Sequence, residues 1–118
     1  MPFSDRSLED IRRELAAFAA ERDWEQFHSP RNLLLALVSE VGEVAELVRW
    51  QGDNAPAVPA DKAAAWQDEL ADVFILLVRL ADISGVDLTT ALARKLDQAR
   101  AKYPVERFKG SARKYDEA

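Results

Sequence analysis

Two pairs of acidic residues, each separated by three positions, are the part of the sequence best suited to chemistry. Glu40 and Glu43 form one pair, and Glu69 and Asp72 form the other. Residues three apart lie on the same side of an α-helix, so each pair directs two carboxylates one way. If the two helices face each other, four carboxylates surround one space. Such an all-oxygen site, without His or Cys, suits Mg²⁺, with Mn²⁺ as a substitute.

A helical wheel shows that the first pair is not placed as ordinary surface residues would be. At about 100° per residue, Glu40 falls inside the apolar arc centred on Leu33. Glu43 falls at the edge of that arc, and Glu46 falls on the opposite side, where a solvated residue belongs. The pattern therefore separates Glu40 and Glu43 from the charges that merely keep a helix hydrated.

The second pair lies on a segment that is apolar nearly all round. Glu69 and Asp72 share one side of this segment, which continues through the apolar run at 73–78. Carboxylates buried close together repel one another, so a compensating cation is needed. Arg79 and Lys95 could supply it as ion pairs with a purely structural role. A divalent metal ion is the interpretation we favour, because all four acids can then share it.

The metal interpretation also predicts a ligand and a reaction. Magnesium usually keeps waters and takes phosphate oxygens as further ligands, which indicates a nucleotide polyphosphate. A carboxylate free of a tight metal bond could then orient or deprotonate water, and Glu40 and Glu43 are both candidates. A di-iron centre in a helical bundle normally adds a Glu-x-x-His motif. The only histidine, His28, precedes the second helix, so this alternative is disfavoured.

The elements that must position these acids are all predicted helices. Ser7, Ser29, Asp61 and Asp87 read as N-caps, and Gly52 and Gly85 as stops. The predicted helices cover residues 8–22, 30–51, 61–84 and 88–103, with a loop at 52–60 and an irregular tail at 105–118. We therefore expect a single all-α domain folded as a four-helix antiparallel bundle. Because the third helix is apolar on most sides, we also expect at least a dimer.

Composition narrows the possible functions further. The 118 residues include no cysteine and one histidine, which excludes disulfides, zinc–thiolate sites and a three-histidine zinc site within the chain. The net charge of −5 disfavours binding to a nucleic acid polymer. No apolar run approaches the length of a membrane span, and the N-terminus lacks the order of a signal peptide. We expect a cytoplasmic protein.

The acid pattern and its flanking sequence resemble a known family. Glu-x-x-Glu on one helix and Glu-x-x-Asp on the next are similar to the MazG-like all-α nucleoside triphosphate pyrophosphatases. The stretches RDWEQFHSPRNLLLALVSEVGEVAELVRW, DELADVFILLVRLA, KYP and SARKY resemble the dCTP pyrophosphatase branch. The resemblance implies Mg²⁺-dependent hydrolysis of a deoxynucleoside triphosphate to monophosphate and pyrophosphate, as nucleotide pool sanitation. It also implies dCTP or 5-modified dCTP as substrate, and tetramers built from dimers.

The same resemblance assigns roles to individual residues. The metal-binding acids of the family match Glu40, Glu43, Glu69 and Asp72, and its base-stacking tryptophans match Trp24 and Trp50. A basic cluster at the C-terminal end could contact the triphosphate, or could simply be a solvated face and tail. The cluster consists of Lys95, Arg100, Lys102, Arg113 and Lys114. The candidate triphosphate contacts are Lys95, Lys102, Arg113 and Lys114, together with Tyr115 of the SARKY tail.

Four positions depart from the animal dCTP enzymes. Leu15, Leu76, Ala99 and Ala101 stand where those enzymes have a His, a Tyr, an Asn and an Arg. The metal site is intact, but polar groups that would shape the base and phosphate pocket are missing. Two alternatives therefore stay open: a pyrophosphohydrolase of wider scope, accepting other dNTPs including dUTP, or a non-enzymatic helical interaction module with an inert acid cluster.

Overall fold

The computed structural model describes residues 1–52 and 58–117, and the regular secondary structure of these residues is entirely helical, without a β-strand. The all-α prediction is confirmed. Three short 3₁₀ turns accompany the helices, at Glu25–Phe27, Ala60–Lys62 and Tyr115–Glu117. The α-helices are α1 (Leu8–Glu21), α2 (Pro30–Glu46), α3 (Ala63–Ile83), α4 (Leu88–Lys102) and α5 (Val105–Phe108). None of these helices is both long enough and apolar enough to cross a bilayer.

The chain forms two compact units, one from Met1 to Val86 and one that begins at Asp87. The first unit contains α1, α2 and α3, and the second contains α4 and α5. A single domain and a four-helix bundle stay predictions.

Within the first unit, α2 and α3 run antiparallel, as contacts at both ends show. The Lys62 ammonium, just before α3, donates to the carbonyl of Leu47 at the end of α2, at 3.3 Å. At the other end, Arg79 on α3 donates to His28, which precedes α2, at 3.0 Å. α2 packs extensively on α3, and α1 packs on α3 to a smaller extent.

The starts of α1 and α2 follow the predicted capping rules. The hydroxyl of Ser7 accepts from the Asp10 amide at 3.0 Å, and the hydroxyl of Ser29 accepts from the Asn32 amide at 3.1 Å. Each hydroxyl satisfies an amide that has no partner inside the helix. Pro30 occupies the first turn, where its missing N–H costs nothing. Both caps are confirmed.

α2 ends earlier than the prediction of 51. Its last residue is Glu46, and beyond it the amides of Leu47 and Val48 donate to carbonyls three residues back, each at 3.2 Å. Such tightening is common where the final carbonyls of a helix lose their regular partners. Of the predicted loop at 52–60, residues 53–57 lie outside the described part of the chain.

The predicted cap of α3 is wrong. Asp61 lies inside the 3₁₀ turn, α3 begins at Ala63, and Lys62 occupies the cap position without a side-chain bond. Pro59, with φ −54°, opens the turn, and its carbonyl accepts from the Lys62 amide at 2.9 Å. A backbone turn, rather than the Asp61 carboxylate, therefore precedes the first residue of α3. Gly85, with φ +71°, follows the end of α3 as predicted.

The second unit begins with a strong side-chain cap. Asp87 accepts from the amides of Thr89 and Thr90 at 3.1 and 3.2 Å, and the threonine hydroxyls reinforce it. These hydrogen bonds lower the pKa of Asp87 to about 2. The cap is confirmed.

The prediction of an irregular tail is wrong in part. α5 and the 3₁₀ turn at Tyr115–Glu117 both fall within it. Phe108 is buried, and its ring lies 5.0 Å from that of Tyr103 in an edge-to-face contact. Tyr115 contacts Tyr103 in the same way at 6.2 Å. These edge-to-face contacts hold the tail against Tyr103, although most residues of the tail are polar.

Candidate metal centre

Three of the four predicted acids come together where α2 faces α3. Glu40 and Glu43 project from α2, and Glu69 projects from the first half of α3. One carboxylate oxygen from each lies within 4.8 Å of the other two. The helical spacing brings the first two together, and the antiparallel packing of α2 on α3 adds the third.

The carboxylates of Glu40 and Glu69 are partly withdrawn from solvent, whereas Glu43 is exposed. The Oε2 atoms of Glu40 and Glu69 are buried and have no hydrogen-bond partner among the described residues. A buried carboxylate oxygen without a partner is costly, because it has lost water and gained nothing. Both atoms therefore need a cation or a proton.

The electrostatics of the cluster favour protonation when no cation is present. Loss of solvent is the main cause that raises the pKa of Glu69 to about 7, and the neighbouring carboxylates of Glu43 and Glu40 add to it. Loss of solvent likewise raises the pKa of Glu40, with further repulsion from Glu43 and Asp72. Like charges held together are the physical reason.

Asp72 stands slightly apart from the other three acids. It lies one turn after Glu69 on α3, is exposed, and is not a member of the close group of three. Its charge nevertheless acts on Glu40. Asp72 therefore borders the cluster.

The donor set fits a hard divalent cation. All its atoms are carboxylate oxygens, two of them are buried without a partner, and the carboxylates repel one another as they stand. Mg²⁺ and Mn²⁺ prefer such ligands. The alternative in which Arg79 neutralises the acids is wrong, because Arg79 pairs with Asp82 instead, at 3.3 Å.

The two predicted base-stacking residues lie at opposite ends of α2. Trp24, in the turn before α2, is 44% exposed, and its ring meets that of Phe18 edge-to-face at 5.7 Å. Trp50, beyond the end of α2, is 86% exposed, and the Arg49 guanidinium lies 5.3 Å from its ring centroid. Both rings have free surface on which a base could stack.

The predicted triphosphate contacts all belong to the second unit and partly contact one another. The Lys102 ammonium lies 4.9 Å from the ring of Tyr115. Arg113 donates to the carbonyl of Arg107 at 2.8 Å, and the amide of Lys114 donates to a carboxylate oxygen of Glu117 at 3.2 Å. Lys95 is an exposed residue of α4. Their role at a triphosphate stays a prediction.

A polar network that the sequence reasoning did not identify joins α1, α3 and the turn before α2. Arg79, which is buried, donates to Nδ1 of His28, and Asp82 accepts from both Arg79 and Arg12. The only local signal is the three-residue spacing of Arg79 and Asp82. His28 lies 51 residues from its partner, so no pattern within a helix could reveal that contact.

Comparison with known proteins identifies the family. The MazG-like family profile matches residues 33–117, which covers most of the chain and includes all four acids. The chain belongs to the MazG-like family. Its resemblance to that family is thereby confirmed.

Individual MazG-like relatives are similar over almost the whole chain. The chain is 59% identical over 112 residues to dCTP pyrophosphatase 1 of Mus musculus, covering 92% of this chain and 66% of that protein. It is 56% identical over 115 residues to dCTP pyrophosphatase 1 of Homo sapiens, covering 94% and 67%. The chain thus spans about two thirds of the length of these relatives.

One solved structure is similar to this chain in fold as well as in sequence. The fold is similar to the crystal structure of a pyrophosphatase from Archaeoglobus fulgidus, with a TM-score of 0.68 and 26% identity. The similarity covers 88% of this chain and 98% of that one.

Proposed function

We propose that the protein is a divalent-metal-dependent nucleotide pyrophosphohydrolase that converts dCTP or a 5-modified dCTP to the monophosphate and pyrophosphate. One observation carries the proposal: Glu40, Glu43 and Glu69 meet, with buried unpartnered oxygens, in a chain 56–59% identical to dCTP pyrophosphatases. The activity serves the sanitation of the nucleotide pool, which we place in the cytoplasm.

The metal of this proposal is Mg²⁺, with Mn²⁺ as a substitute. Glu40, Glu43 and Glu69 would hold it, and Asp72 would complete the set from the rim of the cluster. When bound, the ion supplies neutralisation of the charge that develops on the pyrophosphate leaving group. The protein supplies carboxylates that are already gathered by helix packing, so little reorganisation is needed at the moment of reaction.

The protein's own part in the reaction is to hold and deprotonate water. Glu40 and Glu43 are the candidate bases, each accepting the proton at a carboxylate oxygen. Loss of solvent raises the pKa of Glu40, so its carboxylate accepts a proton more readily than an ordinary glutamate does, and the exposure of Glu43 favours that residue as the one that water reaches.

Substrate binding combines aromatic and basic groups. Trp24 and Trp50 are the candidate base-stacking residues, and each such contact is worth about 1–3 kcal/mol by analogy with single-stranded nucleic acids. Because they lie at opposite ends of α2, which is about 25 Å long, the two rings would meet one base only if they came from different subunits of the assembly. The basic cluster of the second unit would contact the triphosphate. The candidate contacts are Lys95, Lys102, Arg113 and Lys114 of this cluster, together with Tyr115 beside them in the sequence.

A wider substrate scope is the second candidate, and one observation favours it. Leu15, Leu76, Ala99 and Ala101 offer no hydrogen-bonding group where the animal dCTP enzymes have polar side chains. Discrimination between bases depends on hydrogen bonds to the base edge, because stacking accepts any base. Fewer such donors predict acceptance of other dNTPs, including dUTP.

The complete active unit would be a four-helix bundle assembled as a dimer or as a tetramer of two dimers. Apolar side chains on both helices of the metal centre are 40–62% exposed in the single chain: Leu34, Leu35, Val38, Val41, Leu70, Phe74, Ile75 and Leu77. Monomeric proteins rarely leave so much contiguous apolar surface in water. Sedimentation equilibrium should report at least a dimer, and a stable monomer would contradict the assembly.

The decisive test of activity is a panel of the common and 5-modified dNTPs and NTPs with Mg²⁺, followed by pyrophosphate release. We expect turnover of dCTP or 5-modified dCTP, and a loss of about 100-fold or more in Glu69→Gln. Glu46→Gln is the matched control, because it makes the same change on α2 outside the cluster. Turnover of several dNTPs at similar kcat/KM would favour the wider scope. No turnover of any nucleotide would favour the interaction module.

A further inference from the structure

The turn between α1 and α2 contains Trp24, and each end of the turn forms a hydrogen bond to a different helix. At its start, the Trp24 amide donates to the Ala19 carbonyl of α1 at 3.0 Å, and the Trp24 ring contacts Phe18. At its end, the His28 imidazole accepts from the Arg79 guanidinium of α3 at 3.0 Å. Between these points, the Phe27 amide donates to the Trp24 carbonyl at 2.9 Å.

The contact with α3 rests on a guanidinium that is itself held firmly. Arg79 is only 5% exposed, and its Nη1 atom donates to Asp82 at 3.3 Å. Asp82 also accepts from Arg12 at 3.2 Å, which links the network to α1. Arg12 is paired in addition with Glu9 at 2.8 Å. Among the described residues, Arg79 is the side chain through which α3 makes a hydrogen bond to this turn.

The bond between Arg79 and His28 exists only while the imidazole is neutral. Nε of Arg79 always carries a hydrogen, so Nδ1 of His28 must present a lone pair and the ring proton must lie on Nε2. Protonation would set one N–H against another. The positive end of the α2 dipole, immediately after His28, also opposes an imidazolium.

The charged groups that face His28 favour the neutral form on balance. Partial burial is the main cause that lowers the pKa of His28, and the positive charge of Arg79 on α3 adds to it. Glu25, in the same turn, acts in the opposite sense. Asp82 pairs with both Arg79 and Arg12, and Arg12 pairs in addition with Glu9.

We propose that Arg79 and His28 are positioning residues for substrate, forming a tie that holds the Trp24 turn on α3 and opens when His28 is protonated. The proposal rests on the proposed function only where Trp24 is taken to stack on the base. The tie itself stands on the hydrogen bonds above. When it opens, the end of the turn is released from α3, so the Trp24 ring is held less precisely where the base must bind.

The tie can be tested without any nucleotide, because His28 is the only histidine of the chain. A proton–carbon NMR titration of the protein therefore reports one imidazole. We expect the proton on Nε2 at neutral pH and a midpoint below the ordinary 6.5. In Arg79→Met, which removes the donor and its charge, the midpoint should rise. A midpoint that does not differ between wild type and Arg79→Met overturns the tie, whatever the enzyme does.

The positioning role is tested by steady-state kinetics against pH on the nucleotide that wild type turns over. His28→Ala should raise KM about tenfold at neutral pH while kcat changes less than about twofold, as expected for the loss of one hydrogen bond to a charged group. His28→Asn keeps an acceptor near the place of Nδ1 without titrating, so it should restore KM. Arg13→Ala, at an exposed residue of α1, is the matched control and should leave both constants unchanged.

The pH profile separates positioning from a general structural effect. In wild type, KM should rise as the pH falls through the midpoint measured for His28, and in His28→Asn that rise should disappear. Equal KM values for His28→Ala and wild type, or the same acid rise in His28→Asn, would overturn the positioning role. If no variant or wild type turns over any nucleotide, the proposed function fails, while the NMR result still decides the tie.

Discussion

Two clusters of charged side chains, each with members on α3, differ in whether their charges are balanced by neighbouring groups. In the first half of α3, Glu69 meets Glu40 and Glu43 of α2. These are three like charges, and two of their oxygens are buried without a partner in the part of the chain that the structure describes. Near the end of α3, Arg79 and Asp82 form a network in which positive, negative and neutral groups satisfy one another.

This difference indicates which of the two clusters binds a cation. A charge network that is complete within the chain has little need of a ligand, and removing one of its partners is destabilising because a buried charge is left unpaired. A network that is incomplete is costly as it stands, and the cost is recovered only when a cation arrives. The partners that each carboxylate has in the fold therefore distinguish the acid cluster from the network around Asp82.

The largest difference between the two clusters is expected in the free energy of unfolding of the metal-free protein, when one carboxylate of each cluster is replaced by its amide. Asp82→Asn should lower the free energy of unfolding by about 2 kcal/mol, because Arg79 loses its charged acceptor. Glu40→Gln should instead raise it, because repulsion and an unpartnered charge are removed. Urea denaturation in the presence of a chelator measures both.

A third substitution, outside both clusters, serves as the control for these two. Glu46→Gln changes an exposed carboxylate on α2 and should leave the urea midpoint unchanged. If Glu40→Gln and Asp82→Asn destabilise the protein alike, the acid cluster is not strained and the contrast between the two regions is lost.

A smaller effect is an opposite dependence of stability on pH. The native pKa of Glu69 is raised from 4.5 to about 7, so the native state binds more protons than the unfolded state in that window. Metal-free stability contributed by the cluster therefore falls as the pH rises from 4.5 to about 7. The pKa of His28 is lowered, so its contribution is present above pH 6.5 and is lost as the pH falls below that value.

Variants separate these two slopes in urea midpoints measured across the pH range with chelator. Glu69→Gln should flatten the decline towards neutral pH, and His28→Asn should remove the loss of stability on the acid side. A decline that persists unchanged in Glu69→Gln would mean that the cluster does not titrate as its environment indicates.

Local chemistry made much of the fold predictable. Ser29 with Pro30, and Asp87 before its two threonines, form caps within a few residues, so their pattern is complete in the sequence. The helical wheel likewise singled out Glu40, because burial on one face follows directly from the helical period.

What the sequence missed depends on residues that are distant or on backbone turns. Arg79 meets His28 across 51 positions, and only the packing of α3 on α2 brings them together. Asp61 looks like a cap, but a turn opened by Pro59 takes that place. The aromatic anchor formed by Phe108 and Tyr115 gives structure to a tail whose composition suggested none.

Calorimetric titration of the protein with Mn²⁺ and Mg²⁺, in the absence of nucleotide, tests whether the carboxylates of α2 and α3 hold a divalent cation. We predict that wild type and Glu46→Gln bind the ion alike, that Asp82→Asn retains binding, and that Glu69→Gln loses at least about tenfold in affinity. Binding of equal strength in wild type and Glu69→Gln would contradict the account, because the ion would then not be held where α2 and α3 bring their carboxylates together.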